Sequence, residues 1–210
     1  MRGPTALVAL GLAALALLSD CDSFSLPDQF NRSATGKPLA LALSSTGNLV
    51  PGDTIVLEPS GGTPPYTFDT SRGNTYYIGG TASSISGNFF TAGDSIGTEH
   101  IFLEDSDFRS VTAMVTVVPP APTGFAADGS YGGNNDVELT WVASTHPAVN
   151  KFRIERISPT GFSLVELDSG KTSYVDSTAS PSQLNTYRIY ALAGPYQSAY
   201  VESSALGKGD

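Results

Sequence analysis

The sequence predicts an all-β chain organised as two tandem sandwiches, and three observations carry that reading. Short segments alternating apolar and polar residues recur from Leu39 to Ala205, each bounded by Gly, Pro, Asn, Asp or Ser. Glycine and proline number 22 and 14 in 210 residues, about 17% against a usual level of about 12%, which suits a chain rich in turns. Residues 119–122, Pro-Pro-Ala-Pro, divide the alternating segments into two sets of domain size. Cysteine occurs once, so no disulfide staples either set and each must rest on its own core.

The chain opens with Met1-Arg2-Gly3-Pro4 and one positive charge, followed by Ala6 to Leu18, a run of Ala, Leu, Val and Gly alone. A membrane-crossing helix needs about 20 apolar residues, so this run has the shape of a secretory leader. Leu18-Ser19-Asp20-Cys21 follows directly and resembles the bacterial lipobox, Leu-x-x-Cys. The resemblance implies that residues 1–20 are a lipoprotein signal peptide, cleaved before Cys21. It further implies a diacylglyceryl thioether on the Cys21 sulfur and an acyl chain on the new amino terminus. Two or three buried acyl chains, at about 0.8 kcal/mol per CH₂, anchor a protein stably on a bilayer. The alternative, an ordinary secreted chain with a free thiol, leaves the position of Cys21 to coincidence. Residues 21–37 are then the anchor and a polar tether; extended at about 3.3 Å per residue, Asp22 to Lys37 reaches about 50 Å.

The first module spans 38–118. Leu39 to Leu43 and Thr54 to Glu58 are its first strands, separated by a turn at Val50-Pro51-Gly52-Asp53. Ser60-Gly61-Gly62-Thr63-Pro64-Pro65-Tyr66 resembles the Gly-Gly-x-Pro-Pro-Tyr segment of bacterial immunoglobulin-like and PKD-like repeats, in which the glycines turn and the tyrosine begins a core strand. Separate short strands are expected around Tyr76-Tyr77-Ile78 and Asn88-Phe89-Phe90. Two long strands close the module. Alternation turns Ile101 and Leu103 inward on one, and Ala113, Val115 and Val117 inward on the other. The run Pro119-Pro120-Ala121-Pro122 favours a stiff, extended linker that holds the modules end to end.

The second module, 123–205, is followed by a tail at 206–210. Val137-Glu138-Leu139-Thr140-Trp141 alternates, with Val137, Leu139 and the only tryptophan inward. Together with Phe152-Arg153-Ile154-Glu155-Arg156, Thr172-Ser173-Tyr174-Val175-Asp176 and Tyr187-Arg188-Ile189-Tyr190-Ala191, this segment resembles the strands of a fibronectin type III domain. The resemblance implies that Tyr187 is a corner tyrosine whose hydroxyl bonds backbone a few residues upstream.

A formal net charge of −9 argues against nucleic acid as a partner, since phosphate binding needs a basic surface. His100 and His146 stand alone in sequence, too few for a zinc site and without a triad's neighbours. GxSxG, P-loop and GxGxxG motifs are absent, so the sequence points to no cofactor and no enzyme. Glu104, Asp105 and Asp107 can be read as part of a calcium site or as a solvated acidic turn. In the loop Asp128 to Asp136, Tyr131, Asn134 and Asn135 are either ligand contacts or part of a flexible insertion.

Three roles follow for such a chain. The first is an anchored, non-catalytic binding or adhesion module in the cell envelope, with a protein or glycan partner. The second is a structural or assembly subunit of an envelope complex. The third is an accessory to a partner's hydrolase. The expected address is extracytoplasmic, at the outer membrane or cell surface in preference to the inner membrane.

Overall fold

The computed structural model describes residues 36–77, 79–130, 136–159 and 164–208. Cys21, the leader, most of the tether, and Tyr131, Asn134 and Asn135 lie outside the described residues. Among the described residues, no helix is long and apolar enough to cross a membrane.

Among the described residues, seven strands form the first sandwich: β1 (Ala40–Leu43), β2 (Thr54–Ser60), β3 (Tyr66–Tyr77), β4 (Ser84–Ser86), β5 (Phe89–Thr91), β6 (Ile96–Asp105) and β7 (Ser110–Val117). One sheet has the order β1-β2-β5-β4 and the other β3-β6-β7. This is the four-over-three arrangement of seven-stranded immunoglobulin sandwiches. Alternation decides which side chains meet between the sheets. Ile55 and Leu57 of β2, Phe90 of β5, Ile101 of β6 and Val115 and Val117 of β7 share one buried cluster. Tyr76 and Tyr77 do not form a strand of their own: they end the twelve-residue β3. Pairing with β6 continues past register shifts at Arg72/Thr75 and Thr75/Tyr77, so the Gly73-Asn74 stretch is an irregularity within one strand.

Among the described residues, eight strands form the second sandwich: β8 (Thr123–Asp128), β9 (Val137–Val142), β10 (Lys151–Ser158), β11 (Leu164–Asp168), β12 (Ser173–Asp176), β13 (Leu184–Ala193), β14 (Tyr196–Gln197) and β15 (Val201–Leu206). The sheet β12-β9-β8 faces the sheet β11-β10-β13, whose far side is completed by β14 and β15 in turn. Val137, Leu139, Trp141, Phe152, Ile154, Tyr187 and Ile189 fill the space between them. The Trp141 and Phe152 rings meet edge to face at 5.6 Å. The last strand runs through Leu206, and Gly207 bridges Pro181, inside the stretch expected to be a tail.

Val118, Pro119 and Pro122 are buried. Ala148, from the β9–β10 loop, and Ala193, at the end of β13, belong to the same buried cluster as Leu49, Ile96 and Val117 of the first sandwich. Apolar side chains far away in sequence thus share a buried cluster with the end of the first sandwich.

Candidate binding surface

A densely bonded polar cluster lies where β6 turns into β7. Alternation along β6 places Asp105 inside and Glu104 outside, so the two carboxylates face opposite ways. The buried Asp105 carboxylate accepts N–H bonds from Thr63 (2.9 Å), Asp107 (3.0 Å) and Arg109 (3.0 Å), and pairs with the Arg109 guanidinium at 2.8 Å. Burial pushes the Asp105 carboxyl up, but the Thr63 and Arg109 N–H groups and the guanidinium outweigh it and hold it below the usual carboxylate value. Arg109 Nη2 also reaches Asp107 Oδ2 and Thr63 Oγ1, each at 3.0 Å, and Thr63 Oγ1 donates to Asp107 Oδ2 at 2.7 Å. Asp105 and Asp107 therefore converge on a guanidinium, while Glu104 stands apart. Among the described residues, no three His, Cys, Asp or Glu side chains gather as a metal site.

Two turns are locked together by this network. The Ser106 N–H and hydroxyl both reach the Thr63 carbonyl at 3.0 Å, and the Tyr66 hydroxyl donates to the Gly61 carbonyl. Gly62, at φ +61°, makes the close approach possible: a Cβ there would lie 2.6 Å from Asp105 Oδ2 and 2.8 Å from Leu39 Cδ1. The Gly-Gly-x-Pro-Pro-Tyr segment thus turns at its glycines and launches β3 at Tyr66.

At the tip sits Phe108, 84% exposed, with φ at +60°. A phenylalanine in the left-handed region is strained, by about 1–2 kcal/mol. The turn holds it there through the Phe108 N–H bond to the Asp105 carbonyl (3.0 Å) and the clamp on either side. The result is a single phenyl ring held out in water by a fixed backbone. Phe108 was not among the contact residues expected from the sequence. Its signal was an aromatic residue between Asp107 and Arg109 in a stretch too polar to be a strand core.

The second module carries its own buried acid. Asp176, on β12, pairs with Arg156 of β10 at 2.7 Å and accepts the Tyr187 hydroxyl of β13 at 2.9 Å. Its other oxygen takes the Thr178 N–H (2.9 Å) and hydroxyl (2.8 Å). Burial pushes the Asp176 carboxyl up, but the Thr178 and Tyr187 donors and Arg156 outweigh it and lower it overall. Burial first, and then the Asp176 carboxylate, push the Tyr187 phenol far up. The corner-tyrosine expectation is corrected in its partner. The hydroxyl bonds a side-chain carboxylate eleven residues upstream because that buried charge needs donors more than a backbone carbonyl does.

The remaining expectations resolve simply. Trp141 is buried, and both histidines are partly exposed, His100 edge-on to Phe102 at 6.2 Å. A polar cleft of about 290 Å³ lies beside the β13–β14 turn, where Lys151 and Arg153 both pair with Glu166 and Arg153 also bonds Gln197.

Both halves are thus β-sandwiches of the immunoglobulin and fibronectin type III class. No protein-family model matches the chain, and no curated protein matches it significantly in sequence. Solved structures match the fold. A two-domain fibronectin type III segment from chicken tenascin is 16% identical, covering 80% of this chain and 98% of its own, with a TM-score of 0.52. A fibronectin type III domain of the human collagen alpha-1(XX) chain is 9% identical over 42% of this chain and 85% of its own, with a TM-score of 0.38. The Clostridium perfringens spore cortex lytic enzyme SleM is 19% identical over 44% of this chain and 29% of its own, with a TM-score of 0.37. At these identities the likeness is one of fold.

Proposed function

We propose that this chain is a membrane-anchored, extracytoplasmic lipoprotein whose two sandwiches act as a non-catalytic protein-binding or adhesion module. Sandwiches of this class generally serve as interaction modules, with contact residues on loops held by a rigid scaffold. The observation that supports binding is Phe108, an exposed phenyl ring on a turn clamped by Asp105 and Arg109. A rigid aromatic anchor loses little conformational freedom on docking, and such residues carry much of an interface's binding energy. The flanking exposed Asp107 suits a partner pocket that is apolar at its floor and basic at its rim.

Immobilised full-length chain and its Phe108→Ala variant would be compared against envelope and surface protein fractions and a glycan array. A protein partner whose affinity falls about tenfold or more in the variant supports the reading. Equal binding by both, or retention of glycans alone, removes it. The anchor is tested separately: labelled fatty acid should enter the wild-type chain and not Cys21→Ser. Protease digestion of the second module on intact cells then distinguishes a surface address from a periplasmic one.

A further inference from the structure

The chain leaves the first sandwich by a fixed route. Leu49, between β1 and β2, donates to the Thr116 carbonyl (2.9 Å) and accepts the Val118 N–H (2.8 Å). Val118 is thereby held at the end of β7, and Pro119 and Pro122 follow it, both buried. Each proline ring fixes one backbone torsion, so the link bends less than a glycine-serine one. A covalent link is nevertheless one point of attachment, and sandwiches joined by a link alone move relative to each other.

Two further segments of the second sandwich reach the same place. Ala148, in the β9–β10 loop, and Ala193, at the end of β13, are 5% and 0% exposed and share the buried cluster of Leu49, Ile96 and Val117. Tyr196 of β14 packs against that cluster from a partly buried position. Both segments are held by bonds of their own. The Ala148 N–H meets His146 Nδ1 (3.3 Å), the Val149 N–H meets the His146 carbonyl (3.1 Å), and the Asn150 N–H meets the Leu192 carbonyl (3.0 Å), which ties the loop to β13. Ala193 pairs with Tyr196 across the turn Gly194-Pro195, where Gly194 takes φ +55°.

We propose that these contacts form a rigid joint, in which Ala148, Ala193 and Tyr196 seat against Leu49, Ile96 and Val117 and hold the second sandwich at one bearing to the first. The link supplies one attachment, the loop a second and the hairpin a third, and three separate attachments fix tilt as well as twist. The alanines suit the place, since a methyl group fills a close contact that a longer side chain would force apart. Opening the joint would return apolar groups of both sandwiches to water. Ile96 opens β6 and Val117 closes β7, so Phe108, in the turn between these strands, lies at their opposite end. A partner docked on Phe108 then meets the second sandwich in one orientation, with no hinge freedom to lose. That consequence rests on the proposed binding role; the joint itself does not.

Pulsed dipolar spectroscopy of the full chain, in a Cys21→Ser background, reads the spread of orientations. Spin labels at Thr112→Cys on β7 and Ser204→Cys on β15, both exposed positions, report between the sandwiches; labels at Thr140→Cys and Ser204→Cys report within the second. The first pair should give a single distance peak no broader than the second pair's. Ala148→Glu puts a charge where a methyl group is buried, and should broaden the first peak about twofold or more while the second stays narrow. Should the second peak broaden as well, Tyr196→Ser, on the two-residue β14, replaces it with the same expectation. Pro120→Gly together with Pro122→Gly should leave the first peak narrow. A first peak broader than the second without any substitution at the joint overturns the proposal. So does a width indifferent to Ala148→Glu and Tyr196→Ser, or one that the two glycines broaden as much. Phe108→Ala should weaken partner binding with the width unchanged, so the joint and the binding role fail separately.

Discussion

The two sandwiches each bury one aspartate beside one arginine, and they use the pair differently. In the second, Asp176 comes from one sheet, while Arg156 and Tyr187 come from the other, so the network ties the sheets together through the interior. In the first, Asp105 and Arg109 flank a single turn, and their bonds to Thr63 tie that turn to the one entering β3. One network holds up the fold; the other shapes a loop. A buried charge with several donors rigidifies whatever it touches, and position alone decides whether that is a core or a contact surface.

Trp141 is the only tryptophan, so its fluorescence reads the second sandwich, while far-ultraviolet circular dichroism reads both. The largest effect is expected from Asp176→Ala. It leaves Arg156 without its carboxylate and the Tyr187 hydroxyl without its acceptor, at a cost of about 3 kcal/mol or more. The denaturant midpoint followed by Trp141 should fall accordingly. An unchanged midpoint would mean that Asp176 does not hold the sheets together.

Acid should weaken both networks. Asp105 and Asp176 are lowered in the folded chain relative to the unfolded value near 3.9. Their contribution is full above that value and is lost as pH falls through the folded pKa values. Denaturant midpoints should hold between pH 7 and 5 and drop below about pH 4. The Asp176→Ala variant should show a shallower acid slope by fluorescence, and an equal slope would assign the acid loss elsewhere.

Much of this architecture was readable in the residues. Ile101, Leu103, Val137, Leu139 and Trp141 are buried as period-2 alternation requires, because each strand has one face on a core. What escaped depended on residues distant in sequence. The acidic run at 104–107 left a calcium site and a solvated turn both open, because nothing in its order shows Arg109 folding back over it. Tyr187 was given a backbone partner because the carboxylate that claims it arrives from the opposite sheet. The proline run marked a boundary but not the packing beside it, because Ala148 and Ala193, which share a buried cluster with Val117, lie well downstream. Alternation reports faces; it does not report which polar groups meet.

A milder change distinguishes the clamp from a core. Asp105→Asn keeps the shape but removes the charge that Arg109 neutralises. The Trp141 midpoint should stay put, while limited proteolysis within 61–66 and 105–110 should speed up as the two turns loosen. A matching fall in the fluorescence midpoint would show that the turn network supports the whole chain.

The smallest change has the opposite sign. Phe108 sits at φ +60° with its ring in water, so the fold gains little from it. Asparagine tolerates the left-handed region better, and Phe108→Asn should stabilise the first sandwich by up to about 1 kcal/mol, as a small rise in the dichroism midpoint. The same substitution should abolish binding to any partner that takes the phenyl ring. A residue that costs stability where it stands, and whose replacement improves the fold while removing the contact, is held there by the contact. If Phe108→Asn instead destabilises the sandwich, the ring is packing against the body of the protein, and the contrast between a loop-shaping clamp and a core-holding one disappears.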